Sequence, residues 1–299
     1  MKSVLPVMLG LSAATALCGC VVVDSQAHIT REEKRFAVTG APELRLTTVD
    51  GAIDVRAGDD KEVVVEIEKR GPTLEGVAQL TVATKQDGNH IEIEVKRPAR
   101  EQVFFGIGST PTARLIVRMP RGGSLAAKSG DGSITLEGVQ GRLDLRTGDG
   151  SIRVRGSGGQ LTFATGDGSV TLDDTTGTVD GETGDGSVSV TGVPGAVRVR
   201  TGDGSITLRV DSGTRMTDDW SLTTGDGGVA IYLPKDFAAD LDAHSGDSIR
   251  NDLAIRAEAG DDTHSRSDEE KRTLRTQLGA GGKTLKIRTG DGSIRLKAS

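Results

Sequence analysis

The tetrapeptide Ser/Thr-Gly-Asp-Gly begins at Ser129, Thr147, Thr165, Thr183 and Thr201, each start 18 residues after the last, and it returns at Thr224 and Thr289. Degenerate copies stand at Thr48 ("TVDG") and Ser245 ("SGDS"). Strict register over five copies marks a repeat architecture. The segments that follow the motif ("SITL", "SIRV", "SVTL", "SVSV", "SITL") alternate apolar and polar residues, as in Ile134/Leu136 and Val188/Val190. A second alternating run precedes the next motif, as in Leu143/Leu145, Leu161/Phe163 and Val197/Val199. Gly141, Gly159, Gly177, Gly195 and Gly213 share one position between the two runs. Period-two alternation bounded by glycine predicts short strands. Two strands and two turns per repeat make one coil of a parallel β-solenoid. Each apolar side chain stacks on its counterpart about 4.8 Å away. One coil cannot bury its apolar edge, whereas a stack makes a continuous narrow core. A ladder of Val, Ile and Leu therefore suffices for a chain with only 2% aromatic residues.

Outside the register the signals change. "ELRLTTVDGAIDVRAG", "EVVVEIEKR", "QLTVATK", "HIEIEVKR" and "ARLIVRMP" predict longer strands with looser spacing before Ser129. They form wider coils or a small sheet that caps the stack, because an open end would present unpaired backbone to other chains. Residues 35–299 thus read as one β domain. Its N-terminal coils at 35–128 are irregular, its repeats at 129–228 regular, and its C-terminal coils at 229–299 carry a polar loop at 257–282. No helical domain is expected. "SDEEKRTLRTQL" has a weak helical pattern and reads better as part of that loop. The strand after the last motif stops almost at once, so a covering element, such as the 257–282 loop, has to come from elsewhere.

The N-terminus combines Lys2, the apolar run "VLPVMLGLSAATAL" and "CGC". A basic start, about 14 apolar residues and small residues at the cleavage point describe a secretion signal too short to span a bilayer. Leu17-Cys18-Gly19-Cys20 resembles the lipobox of bacterial lipoproteins, which implies cleavage before Cys20 and acylation of its thiol. Bulky Leu17 makes Cys18 the poorer acceptor. Residues 1–19 are then the signal, and 20–34 a lipidated tether that holds the domain to a membrane of the cell envelope. Val21 and Val22, rather than Asp, follow the acylated position, which favours the outer over the inner membrane. With one cysteine removed and one lipidated, no disulfide or thiolate metal site remains. The formal charge of −6 becomes about −7 on loss of Lys2, and the chain lacks Lys/Arg clusters, which argues against nucleic acid.

The order "LRLTTVDGAIDV … ARLIVRMPRG … SGDGSITLEGVQGRLDLRTGDGSIRV … LTTGDGGVAIYLP … LKIRTGDGSIRL" resembles the bacterial candidate-adhesin family classed as domain-of-unknown-function family 4097, over roughly residues 40 to 299. The resemblance implies a right-handed parallel β-solenoid (β-helix) on an exported protein, with no known catalytic residues.

What does the acidic turn do? Taking Asp131 as position 5 of an EF-hand loop puts Gly138 where the closing Glu belongs and Ala127 where the first Asp belongs, so that reading fails. The nonapeptide calcium repeat needs an acidic motif in both half-coils, and here one turn per coil has it. A phosphate loop opens a helix, whereas a strand follows here. Asp131, Asp149, Asp167, Asp185, Asp203, Asp226 and Asp291 are assigned as structural turn residues. Positive-φ glycines such as Gly148 and Gly150, together with Asp149 accepting backbone N–H bonds, are expected to make the turn. Stacked carboxylates about 4.8 Å apart repel by about 1 kcal/mol in water, which solvated turns tolerate. No cofactor or metal is assigned.

Enzyme chemistry would need clustered carboxylates and bases beside a groove. His28, His90, His244 and His264 are scattered out of register, and Phe163 and Trp220 fall at inward positions. Of the outward faces, one carries rows of small hydroxyls (Ser133/Thr135, Ser169/Thr171, Ser187/Ser189, Ser205/Thr207) interrupted by Arg153. The other mixes Arg142, Asp144, Arg146, Asp180, Glu182, Arg198 and Arg200. The reading is a lipid-anchored, non-catalytic envelope module for binding, adhesion or scaffolding, whose partner is an envelope protein or glycan. The alternatives are a carbohydrate-active β-helix enzyme and a calcium-binding repeat protein.

Overall fold

In the computed structural model of the chain, residues 28–58, 61–97, 110–253 and 272–299 are described. The signal segment, Cys18, Cys20, most of the proposed tether and His264 lie outside them. The described residues form 22 strands and one short helix, Leu74–Gln79. The fold is all-β and solenoid-like: parallel strands stack into two facing walls whose inward side chains meet in one core.

In the first wall Ile152 pairs with Ile134 on one side and Val170 on the other, and Val188 pairs with Ile206. In the second, Leu143 pairs with Leu125 and Leu161. Like thus stacks on like, and every one of these side chains is at most 2% exposed. Register is held this strictly because a slip of one residue would carry a whole apolar row to the solvent. Phe163 is the exception that needs a partner of complementary size. It sits opposite Gly181, where an added Cβ would meet its ring at 2.5 Å. Trp220 is fully buried, donates from Nε1 to the Gly195 carbonyl (3.0 Å) and packs against Phe237 at 5.5 Å between ring centroids.

Chain order and stacking order diverge at both ends. The coil made by Glu43–Thr47 and Ile53–Gly58 does not lie outermost. It is held between Gly122–Lys128 and Ile134–Glu137 on one side and His90–Lys96 and Thr112–Pro120 on the other. Likewise Thr284–Thr289 and Ile294–Ala298 insert between the coil of Trp220–Thr224 and Val229–Leu233 and that of Ala239–Ser245 and Ile249–Asn251. The last motif is therefore covered on both sides by backbone.

The caps are antiparallel. Glu62–Gly71 runs against Thr112–Pro120 and is itself covered by His28–Ala37, while Thr81–Asp87 covers His90–Lys96. At the far end Thr273–Leu278 covers Ala239–Ser245. Two sequence expectations are corrected here. Residues 28–34 are strand rather than tether, with Arg31 pairing across to Glu66 and Glu68 of the neighbouring strand. Residues 273–278 are strand rather than loop, because Leu278 (4% exposed) and Leu274 have the end of the core to cover.

Candidate functional sites on the corner and the two faces

The Thr-Gly-Asp-Gly corner is built from its first residue. Thr147, Thr165, Thr183, Thr201, Thr224 and Thr289 point inward and are at most 7% exposed. Thr147 Oγ1 lies 3.1 Å and 2.9 Å from the carbonyl oxygens of Gly130 and Gly132 in the neighbouring coil, sharing one proton between them. Thr165, Thr183 and Thr201 repeat the contact with their own neighbours. Sequence reasoning missed this role. Its signal was present: every regular copy of the motif opens with a hydroxyl residue and nothing else.

The glycines serve close approach, not left-handed geometry. Neither Gly148 nor Gly150 has positive φ. A Cβ on Gly148 would stand 2.7 Å from the Gly130 carbonyl oxygen, and one on Gly150 closer still to that of Gly132. The Gly148 amide donates to the Gly130 carbonyl, so the coils touch backbone to backbone here. At the opposite corner Gly141, Gly159 and Gly177 do take positive φ, as their shared sequence position required. Gly195 does not, because the register shifts between Gly177 and Thr178, and Gly213 keeps a positive φ but in a longer turn outside the stacked row.

All seven turn aspartates are exposed and stand in one line along the corner. Six of the seven carboxylates, all but that of Asp291, lie beside the glycine of the next coil: an added Cβ on Gly166 would meet Asp149 Oδ1 at 2.8 Å, and one on Gly184 would meet Asp167 Oδ1 at 3.3 Å. Among the described hydrogen bonds none uses these carboxylates to accept backbone N–H. The Ser129 and Thr289 hydroxyls accept those of Gly132 and Gly292 instead, at 3.0 Å and 3.1 Å. The expectation for Asp149 as acceptor is corrected accordingly. Among the described residues no three His, Cys, Asp or Glu are grouped to hold a metal ion.

The second wall's outer face carries a shallow groove of about 440 Å³. It forms because the outward Thr162 and Ala164 are short, while Arg146, Glu182, Arg198 and Arg200 rise around them. Arg146 pairs with Asp144 and Arg198 with Asp218, both at 2.9 Å. The Asp219 backbone N–H, with help from Arg198, holds the Asp218 carboxyl below its ordinary range. Further along this face Asp242 bridges Arg288 and Arg275, and these hydrogen bonds, Arg288 first, depress its pKa against the opposing effect of burial. The first wall's outer face keeps its hydroxyl rows, with Ser133, Ser151, Ser169, Ser187 and Ser205 all exposed. His90 Nδ1 lies 3.5 Å from Glu43, His244 Nδ1 lies 3.1 Å from Thr273 Oγ1, and His28 sits on the outermost N-terminal strand. These three histidines are not brought together.

Comparison with known proteins adds a family and a set of distant folds. A family profile described as Toastrack DUF4097 matches residues 42–297. No curated protein matches the chain. Among solved structures, a candidate lipid binding protein from Parabacteroides distasonis is 12% identical with a TM-score of 0.46, covering 89% of this chain and 96% of its own. A candidate adhesin from Bacteroides fragilis is 10% identical with a TM-score of 0.35, covering 89% and 97%. A candidate cell adhesion protein from Clostridium sporogenes is 13% identical with a TM-score of 0.29, covering 91% and 100%.

Proposed function

Since the chain belongs to the Toastrack DUF4097 family, we propose that it is a non-catalytic binding or scaffold module, held to the bacterial envelope by lipid on Cys20. The wound body is a right-handed solenoid with an 18-residue coil in its regular section, a reading supported by the pairing of Ile134, Ile152 and Val170. One observation carries the functional reading. Outward side chains stand in straight rows on parallel strands, so each face offers an extended, repeated chemistry rather than a cleft in which reactive groups converge. Such a surface suits an elongated partner, an envelope protein or a glycan, engaged at many weak points. The anchor places the module at a membrane, with the outer membrane favoured.

Two measurements test this. Cys20→Ala is expected to abolish lipid labelling and processing while Cys18→Ala leaves both intact; equal palmitate incorporation into the Cys20→Ala protein would refute the anchor. A photo-crosslinker at Ala164, on the groove floor, is expected to capture one discrete envelope component, and Arg146→Ser with Arg200→Ser to reduce that capture. Capture unchanged in the double variant would refute the groove as the binding face.

A further inference from the structure

The two walls treat their C-terminal cations differently. On the second, Arg288 and Arg275 are both paired with Asp242 and Arg198 with Asp218, which leaves Lys286 as a single cation without a carboxylate within 4.0 Å among the described residues of that wall's C-terminal strands. On the first, Arg209, Arg250, Arg295 and Lys297 have no carboxylate within 4.0 Å among the described residues, although the chain as a whole carries a net charge of −6. Register gathers them. Arg209 pairs with Tyr232 and Tyr232 with Lys297, while Arg295 lies between Ala230 and Arg250 in the adjacent outward row. The Arg209 guanidinium stacks 4.1 Å from the Tyr232 ring centroid and the Lys297 ammonium stands 5.7 Å from it. A ring between two cations lets both stand upright side by side, since each is attracted to a π face. The result is a rigid, two-row grid of positive charge on about a 4.8 Å spacing.

We propose that this surface, formed by Ile206–Val210, Val229–Leu233, Ile294–Ala298 and Ile249–Asn251, binds an acidic polysaccharide. The proposal rests on the binding-module reading and goes beyond it, adding a second face on the wall opposite the groove. Charge complementarity selects a polyanion, because four cations without a carboxylate partner among the described residues attract one and repel little of it. Flatness selects among polyanions. A membrane-surface element inserts apolar side chains, yet the exposed large hydrophobic residues among those described are Ile29, Leu74 and Val193, none on these strands. Single-stranded nucleic acid stacks its bases on free aromatic faces, and both faces of Tyr232 are turned to cations. An extended sugar chain bearing carboxylates needs only the grid.

The test uses the full chain in non-ionic detergent with polygalacturonate as probe and dextran as neutral control. Polygalacturonate is expected to bind and dextran not, with binding weakening as salt shortens the range of the interaction. Arg250→Ser with Arg295→Ser is expected to weaken binding about tenfold or more at unchanged melting temperature, since both side chains are exposed. The assignment is overturned by absence of binding, by equal binding in the double variant, or by preference for phosphatidylglycerol vesicles or DNA. It is equally overturned if binding emerges only after Asp261, Asp262 and Asp268 are changed to Asn, which would make the chain's own acidic segment the occupant. These results leave the binding-module reading standing. Shortening of the polymer during incubation would instead sink that reading, since it is a catalytic outcome.

Discussion

At Thr165 a buried hydroxyl lies 3.1 Å and 2.9 Å from two carbonyl oxygens of the adjacent coil, while Asp167, two residues on, projects into water. Thr165→Val keeps the shape and removes the donor, leaving buried carbonyls short of a partner. It is expected to cost about 1–2 kcal/mol. Asp167→Asn touches no described hydrogen bond and relieves repulsion from Asp149 and Asp185, so stability, followed by thermal melting, should change by no more than about 0.5 kcal/mol. Added calcium is expected to leave the melting temperature of both proteins unchanged, because one carboxylate per coil falls short of the six to eight oxygens the ion prefers. A calcium-dependent rise in the wild type that disappears in Asp167→Asn would reverse the assignment of that row. Thr175 offers the converse case. Its fully buried Oγ1 has no partner among the described residues, so replacing it with Val removes an unsatisfied group and should not destabilise.

Among the elements, the C-terminal cap depends on one carboxylate. Asp242 on Ala239–Ser245 reaches Arg275 on the antiparallel cap strand and Arg288 on the inserted strand, tying three neighbours together. Its pKa is lowered in the folded state, chiefly by the hydrogen bond from Arg288. The unfolded chain therefore holds that proton more tightly. The associated stability is present above the ordinary Asp pKa of about 3.9 and is lost as pH falls through the lower folded value. Asp242 is still 26% exposed, which limits the pair to about 1 kcal/mol. Asp242→Asn is expected to melt earlier than wild type at pH 6, with the gap closing below about pH 4. A gap that persists at low pH would mean that Asp242 acts through packing rather than charge.

For the whole molecule, the insertion of the final coil makes the end of the chain an interior part of the stack. In a repeat array each coil is stabilised mainly by its neighbours. Removing Thr284–Ser299 would strip the partners from Trp220–Thr224 on one side and from Ala239–Ser245 on the other. The expected outcome is protease sensitivity from about Trp220 onward, with the N-terminal coils still resistant, because stability in such arrays is local. Cleavage confined to the new terminus would show that the flanking coils can re-pair across the gap.

Much of this was legible in one dimension. The alternation of Ile134/Leu136 or Leu143/Leu145 settles which side of each strand is buried, since period two admits only one apolar face, and a repeat in register can satisfy that face only by stacking. The ladder rows, the inward Phe163 and Trp220, and the outward charged and hydroxyl faces all follow from it. Other features depend on what lies across the stack. Gly148 is needed because another glycine's carbonyl approaches it. Thr147 matters because that carbonyl is its acceptor. The order of coils at both ends is set by which edge needs covering, not by position along the chain. The cation grid exists because Arg209, Tyr232 and Lys297, far apart in sequence, are stacked by an insertion that no local pattern encodes, and that stacking is a property of tertiary packing alone.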